Sequence, residues 1–590
     1  MMAQLAGDSP DDAEKCLAEP KGVTAFEPVS MVPESPVQAS SSKNCGTTAA
    51  ALNEACFCIT LDQAALANAL TDQLGDPELL ELLMSRCPHV FAARPVFVSS
   101  QRLRQVAEVV RAIERTVSLP AWRAHALDSA PPIAQHNPRG ARGVFLGYDF
   151  HLDEETLGLI EINTNAGGAM LNVLLARAQR SCCSGVVGLS PGDEGAGGFE
   201  HAILDMFAQE WSASGEQRPL KRVVILDERP QSQYLYPEFL LFQRLFESAG
   251  IDCIIADPTE LTFAAGSLLV GGEPVDLVYN RLTDFYLESE NCSALRTAFL
   301  ANAVTVTPHP QAYALYADKR RLVDLTNAGL LEEMGVDVQT RTLLAEYIPP
   351  TSLVELRNAD QLWQNRRSLF FKPVSGFGSR GAYRGEKLTK RVWEEILSGN
   401  YVAQTLVAPG ERRIAADRQV RPMKFDLRAY AYAGKVQWNA ARVYQGQTTN
   451  FRTEGGGFAP VFTLNPDEER TVSTEQPQHA SYIFLLDETG AIEELPHPLY
   501  LALVRAESSI AKLAGKRYRL ADWYVAMDDG KPSKVVREWY GWVAFDAQGS
   551  FHPEVRSPNG ESGGSGNVDA SALPTPKEHD GLTGMLFETE

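Results

Sequence analysis

Glu161-Ile162-Asn163 sets a carboxylate and an amide two residues apart. On a strand, residues i and i+2 share a face, so both side chains point the same way. Together they offer three oxygens, a donor set suited to a hard divalent cation such as the Mg²⁺ that accompanies phosphates. Upstream, Gly147-Tyr148-Asp149-Phe150-His151-Leu152 reads as a partner strand and Asp153-Glu154-Glu155-Thr156 as its turn, which makes Asp149 a third ligand across the hairpin. The glycines that follow, Gly167 and Gly168, let backbone approach a substrate or phosphate closely. A polar hairpin end holding no ion fits this stretch equally well.

A second group begins at Leu369-Phe370-Phe371-Lys372-Pro373, a short apolar strand that delivers a lysine. The glycine-rich run Val374-Ser375-Gly376-Phe377-Gly378-Ser379-Arg380-Gly381 follows at once. Backbone N–H groups of such a loop, at Ser375, Gly376, Gly378 and Gly381, can cradle phosphate oxygens while Lys372 supplies positive charge. No Gly-Lys-Ser/Thr opens a following helix, so this is not the P-loop pattern, and a bland surface turn is the alternative. Tyr401 to Val407 reads as a strand whose backbone at Gln404, Thr405, Leu406 and Val407 suits an adenine hinge.

Phe425 to Tyr432 alternates as a strand carrying Arg428, Gly434 turns it, and Val436 to Val443 returns with Arg442. Thr448-Thr449-Asn450 and the triple glycine Gly455 to Gly457 close the run. Two arginines, a lysine and an asparagine among glycine turns are the fixed donors that a triphosphate requires. Each feature has a structural alternative, strand arginines being most often surface ion pairs; the five in this order are what argues against coincidence.

The run resembles the ATP-grasp superfamily, and in particular its circularly permuted branch. In ordinary ATP-grasp enzymes the acid-x-Asn metal strand comes after the lysine, hinge and arginine strands. Here Glu161-Ile162-Asn163 precedes them, as in the permuted branch and in eukaryotic-type glutathione synthetases. Val275 to Asp284 is similar to that branch's strand ending in an arginine and an acid, Gln404 sits where it often has a hinge glutamine, and Phe425-Asp426-Leu427-Arg428 resembles tubulin-tyrosine-ligase-like enzymes. The resemblance spans roughly residues 90 to 460.

A rival metal hairpin exists. Ala521-Asp522-Trp523 and Val535-Val536-Arg537-Glu538-Trp539-Tyr540 repeat the two-acid pattern across a turn, after a helix-like Leu503 to Ala514. Tyr540 stands where asparagine is expected, so Asp149, Glu161 and Asn163 are preferred over Asp522 and Glu538.

These residues need elements to hold them, and the chain supplies α/β patterns. Helical periodicity runs from about 60 to 85 and from Gln101 to Val117. Ser190 to Gly198 reads as a loop. Lys221 to Asp227 and Ile251 to Asp257 read as strands around a helix from Tyr236 to Ser248, a βαβ unit that favours a parallel sheet. Ala317-Asp318-Lys319 opens a helix after Pro308-His309-Pro310. The expected architecture is α/β (α+β): a circularly permuted ATP-grasp fold with a small Rossmann-like α/β domain inserted before the ATP-binding halves. Residues 1–52, rich in Ser, Ala, Pro and acids, read as disordered. The metal hairpin and N-terminal helices occupy 53–215, the small α/β domain 216–330, and the ATP-binding region with a C-terminal extension 331–555. Residues 556–590 form a flexible tail.

Composition sets the outer bounds. The chain has 590 residues, 44% hydrophobic, with a formal charge of −21. That length predicts about three to four domains of about 150 residues. The acidic balance argues against a nucleic-acid partner, which demands net positive faces. No apolar run approaches the ~20 residues of a membrane span. Asp8, Asp11, Asp12 and Glu14 are the opposite of a signal peptide's basic start. Nine cysteines, with Cys56-x-Cys58 and Cys182-Cys183 lacking partners at zinc spacing, read as reduced thiols in a cytoplasmic setting.

The resemblance implies ligation with ATP and Mg²⁺ as cofactors: a carboxylate is phosphorylated to an acyl phosphate, and an amine or thiol displaces phosphate to form a small peptide or amide. It implies that Asp149, Glu161 and Asn163 hold metal, and that Lys372, Arg428 and Arg442 clamp phosphates. Asn450 would serve near the γ position, and Lys319 matches the Asp-Lys pair that places a phosphate-binding lysine, a solvated helix charge being the alternative. Arg281 and Arg142 have the fork shape that suits a substrate carboxylate. The partners implied are small-molecule carboxylate and amine substrates. A homodimer is implied by the glutathione-synthetase branch, though nothing in the chain marks a dimer surface. Two alternatives stay open: a ligase that modifies peptides or proteins, and a non-catalytic nucleotide-binding scaffold.

Overall fold

The computed structural model describes residues 48–55, 77–178, 186–188 and 195–464, apart from positions 93, 154, 377, 379, 417 and 418, together with the backbones of five strands between 481 and 556. It is of mixed α/β class. Six strands carry the candidate site and a seventh flanks them: β1 (Leu146–Leu152), β2 (Leu157–Asn163), β3 (Leu369–Pro373), β4 (Tyr401–Thr405), β5 (Gln419–Tyr432) and β6 (Lys435–Tyr444), with β7 (Gly457–Leu464) beside β6.

Contacts divide the chain into two compact units. The first covers residues 1–180 and 187–464, the second 181–186 and 465–590. In the first unit, a large sheet runs in the order Val96–Phe97, β7, β6, β5, β1, β2, with Gly410–Ala416 against β5. Side-chain alternation gives it two unlike faces. Tyr148, Phe150, Leu427, Ala429, Ala441 and Val443 belong to a core with the helix Ser100–Val117, which contributes Val106, Val109, Val110 and Ile113. The opposite face is split lengthwise. Tyr430, Tyr432, Trp438 and Ala440 pack into a second core with residues of the helices Ala169–Ala178 and Gly195–Ala213. Beyond them the same face carries Asp149, Asp426, Arg428 and Arg442, and the candidate site is that charged half.

The chain between β2 and β3 includes a parallel sheet in the order Thr305–Thr307, Leu277–Asn280, Arg222–Leu226, Asp252–Ala256. The helix Tyr236–Ser248 connects two of its strands, as the βαβ pattern predicts. A small antiparallel sheet, Thr351–Leu353, β4, β3, Tyr383–Arg384, has its own core of Phe371, Trp393, Ile396 and Ala403. In the second unit five strands pair in antiparallel fashion, among them Arg517–Asp528 and Lys531–Phe545. Asp522 pairs with Trp539 and the register then shifts so that Trp523 meets Arg537, which leaves Glu538 in a bulge. The side chains of this rival hairpin lie outside the described residues, as do Leu503 to Ala514, Cys56, Cys58, Cys182, Cys183 and the tail beyond 556.

Two expectations about local structure need correction. Ala49–Ala55 is helical and begins inside the stretch 1–52 read as disordered. The Asn53 side chain ties it down, its Nδ2 donating to Phe97 O (2.8 Å) and its Oδ1 accepting from Phe97 N–H (2.9 Å), and the buried Arg412 donates to the Leu52 and Asn53 carbonyls. Gly195 to Gly198 opens a helix where a loop was expected. The burial of Phe199, Ile203, Met206 and Phe207 outweighs the low helix propensity of glycine. Among the described residues no helix is long and apolar enough to cross a membrane.

One glycine after β2 is under steric demand. Gly168 has φ +98°, and a Cβ there would lie only 2.1 Å from Phe458 Cζ. Its N–H donates to both oxygens of the buried Glu238 at 2.7 and 2.9 Å. Gly168→Ala should therefore lower stability by roughly 2–4 kcal/mol, from backbone strain and overpacking together, read as a shift of the urea midpoint.

Candidate functional site

The charged half of the sheet is built by cross-strand register. Asp149 on β1 stands opposite Glu161 on β2 and Arg428 on β5, while Asp426 on β5 stands opposite Arg442 on β6. Opposite charges facing each other across strands attract. Arg428 grips Asp149 with two parallel bonds, Nε to Oδ1 and Nη2 to Oδ2, both 2.7 Å. Arg442 bridges two acids, its Nη2 2.8 Å from Asp149 Oδ2 and its Nε 2.7 Å from Asp426 Oδ1. Thr449 donates a short hydrogen bond to the other Asp426 oxygen. Asp149 is 1% exposed and Asp426 is fully buried. Burial pushes the Asp149 carboxyl up, yet the charges of Arg428 and Arg442 win and hold it below the usual carboxylate range.

Asp149 was expected as a third cation ligand. In the structure its oxygens are already engaged by the two arginines and by Asn163 Nδ2 at 3.0 Å. That last bond spends the amide nitrogen of Asn163 and leaves its Oδ1 as the acceptor facing the cleft. Glu161 is less enclosed and pairs with Lys319 Nζ at 3.1 Å. Burial raises its pKa, but Lys319 and then Lys372 outweigh that and lower it. Among the described residues no three His, Cys, Asp or Glu side chains form a metal-holding group. The donor set is one carboxylate and one amide oxygen.

Lys372 comes from the other sheet. The pairing of β1 with β2 slips between Asp149 and Phe150, so Ile160 is an extra residue on β2. Such a bulge re-aims the backbone. The Ile160 carbonyl accepts from Lys372 Nζ at 2.6 Å, and Gln404 Oε1 accepts from it at 2.9 Å. Gln404 is held in turn by Thr351 Oγ1 at 3.3 Å. Burial lowers Lys372 to about 8, against the raising effect of Glu161. Lys319 follows a single π-helical turn, Tyr313–Ala317, a feature often found at functional sites. Its backbone N–H donates to Val374 O (3.2 Å) and its Nζ to Gly376 O (3.2 Å), which with the Glu161 pair ties the glycine-rich loop to the β1–β2 hairpin.

These groups surround one cleft of about 300 Å³. Asp149, Glu161, Asn163, Lys319, Lys372, Arg428 and Arg442 line it, as do Gly376, Gly378 and the residues Gln404 to Val407 expected to form an adenine hinge. Ser375 and Gly381 belong to the same loop but not to the cleft wall. Asn450 does not line it either: its amide donates to Gln445 O (2.7 Å) and Thr448 O (3.2 Å), and its oxygen accepts from Arg452 N, so it fastens a turn. Arg142 is away from the cleft, 3.6 Å from Glu114 on an exposed side chain. Arg281 is buried 3.8 Å from Glu238 and donates to Tyr279 OH at 3.0 Å. Sequence reasoning missed His151, Thr449, Phe370 and Phe451 in the cleft wall, and Asp426, which is fully buried and holds Arg442. Alternation singles out two of them, since His151 is i+2 from Asp149 and Asp426 is i−2 from Arg428.

The cleft therefore joins four fixed cations to a carboxylate–amide pair, an arrangement that can hold a polyphosphate together with a divalent cation. Two outcomes are expected. Asp149→Asn removes the charge that two buried arginines share and should cost about 3–5 kcal/mol of stability in denaturant titration. Lys372 is charged below about 8 and loses its proton above it. Affinity for tripolyphosphate should thus weaken as pH rises through that value, at most about tenfold per unit, and the dependence should flatten in Lys372→Arg.

No protein-family model matches the chain, and no curated protein matches it. Solved structures do. A glutathione synthetase-like effector from Globodera pallida in its apo form is 12% identical, with 66% of this chain and 98% of that one covered, at a TM-score of 0.41. A gamma-glutamylcysteine synthetase-like protein from Methylobacillus flagellatus is 10% identical over 62% of this chain and 89% of that one, at 0.35. The ATP-grasp ligase PsnB, complexed with a minimal precursor, Mg and ADP, is 15% identical over 48% of this chain and 97% of that one, at 0.24. The ligands and activities in these names are those of the proteins named. What this chain is similar to, in structure, is the ATP-grasp ligases and glutathione synthetase-like proteins.

Proposed function

We propose that the chain is an ATP-dependent ligase that joins a carboxylate to an amine or thiol through an acyl phosphate, making a small peptide or amide, with the circularly permuted ATP-grasp arrangement. The observation that carries this reading is the meeting of Lys372, Arg428 and Arg442 with Glu161 and Asn163 around one cleft. The pair fits Mg²⁺: Asn163 has an amide oxygen to offer, and Glu161 is a carboxylate kept charged by cations. Bound there, Mg²⁺ would neutralise charge on the β- and γ-phosphates.

The chain's own residues do the rest. Arg428 and Arg442, fixed by Asp149 and Asp426, present guanidinium edges to the phosphoryl group in transit without reorganising. Lys372 supports the phosphate chain from the opposite sheet. Oxygen of the substrate carboxylate attacks the γ-phosphorus and ADP leaves; the amine then attacks the acyl carbon and phosphate leaves. The Gly376 to Gly381 loop closes over this labile mixed anhydride and excludes water. No side-chain nucleophile is required. A reducing, cytoplasmic setting suits such an enzyme.

The test is turnover of Mg²⁺-ATP with and without a pooled extract of small metabolites. Extract-stimulated release of ADP and phosphate is expected, falling at least ~10²-fold in Glu161→Gln at unchanged fold. AMP and pyrophosphate would contradict the acyl phosphate. Turnover stimulated only by peptides or proteins would shift the reading to a peptide-modifying ligase. Tight ATP binding without turnover would shift it to a scaffold.

A further inference from the structure

His151 lies in the cleft wall two residues beyond Asp149, and the phosphate-directed chemistry above does not use it. Its Nδ1 is 2.8 Å from the carbonyl oxygen of Val407, at the end of the hinge. The contact is part of a clamp. In the hairpin, His151 pairs with Gly158, and a Cβ on Gly158 would meet Val407 Cγ2 at 2.7 Å and Pro349 Cγ at 3.2 Å. Val407 thus sits directly on the bare backbone of β2 while His151 holds its carbonyl from β1. The end of the hinge is fixed at both points, one through a hydrogen bond and one through packing.

That clamp decides which ring nitrogen carries the proton. A carbonyl can only accept, so Nδ1 must donate. At neutral pH and above an imidazole is mostly the neutral ring. In a neutral ring protonated on Nδ1, Nε2 is a lone-pair acceptor. Among the described residues no group donates to Nε2. Part of the adjoining backbone is committed: Thr405 N–H donates to Pro350 O and Leu406 N–H to Ser368 O, each at 2.9 Å, and Val407 O is taken by His151. The imidazole anchored at this end is then placed to add a side-chain contact to a base.

We propose that His151 determines base specificity, its Nε2 accepting a hydrogen bond from the exocyclic amine of adenine, so that the cleft selects adenine over guanine nucleotides. Adenine offers an amine donor where guanine offers a carbonyl acceptor. A lone pair facing the wrong partner leaves two acceptors opposed and unpaired, and polar sites of this kind discriminate by about ten- to a hundredfold. The proposal rests on the cleft being a nucleotide site.

The experiment is competition of ATP and of GTP, each with Mg²⁺, against a fluorescent ATP analogue on the intact chain. Wild type, His151→Gln and His151→Leu are compared. Wild type should prefer ATP by at least tenfold. His151→Gln keeps a donor for Val407 and an acceptor for the base, and should retain most of the preference. His151→Leu should lose it, ATP weakening while GTP holds. General damage to the cleft would weaken both nucleotides together and leave the ratio intact, and that result overturns the proposal. So does a wild type that binds ATP and GTP equally. If wild type binds neither nucleotide, the nucleotide-site reading itself fails and takes this proposal with it.

Discussion

Everything in the cleft depends on Asp149, a buried carboxylate shared by two arginines. Taking three charges out of water costs several kcal/mol per ion unless each finds partners of good geometry. Here the two parallel bonds of Arg428 and the bridge of Arg442 to Asp426 supply them. Because these guanidinium groups are fixed by acids behind them, they need no rearrangement to meet an anion in front. The same carboxylate takes the amide hydrogen of Asn163 and so sets which atom of that side chain faces the cleft. One residue orients the two arginines and Asn163 together.

The fold makes this arrangement affordable by dividing one sheet. Its apolar face and the apolar half of its other face are packed with helices, and that packing supplies the stability the charged half consumes. The small sheet brings Lys372 and the hinge to the open side. Three links hold the two sheets in register: Lys372 on the Ile160 carbonyl, His151 on the Val407 carbonyl, and Lys319 between Glu161 and the glycine-rich loop. Each link joins segments far apart in sequence, so the cleft exists only in the folded first unit.

This separation explains what could be read from residue order. The hairpin Leu146 to Asn163 was legible because its pattern is local: two strands, a turn, and acids at i and i+2. The Lys372 strand, the arginine strands and the helix Tyr236–Ser248 were legible for the same reason. The partner of Asp149 was not, since Arg428 is 279 positions away and only sheet register joins them. The bulge at Ile160 leaves no mark in composition. Asn450 misled because an asparagine among glycines suits a phosphate and a self-fastened turn alike, and the turn has it. Arg142 has the right chemistry for a carboxylate and meets Glu114 instead.

The central claim is that Glu161 and Asn163 take the cation while Asp149 stays with its arginines. Crystals grown with Mn²⁺ and a non-hydrolysable ATP analogue, measured at the manganese absorption edge, test it most directly. The predicted anomalous peak lies against Glu161 and the Asn163 amide oxygen, with Lys319 displaced from Glu161 and Arg428 still gripping Asp149. A peak on Asp149 with the arginines released, or one between Asp522 and Glu538, would contradict the account.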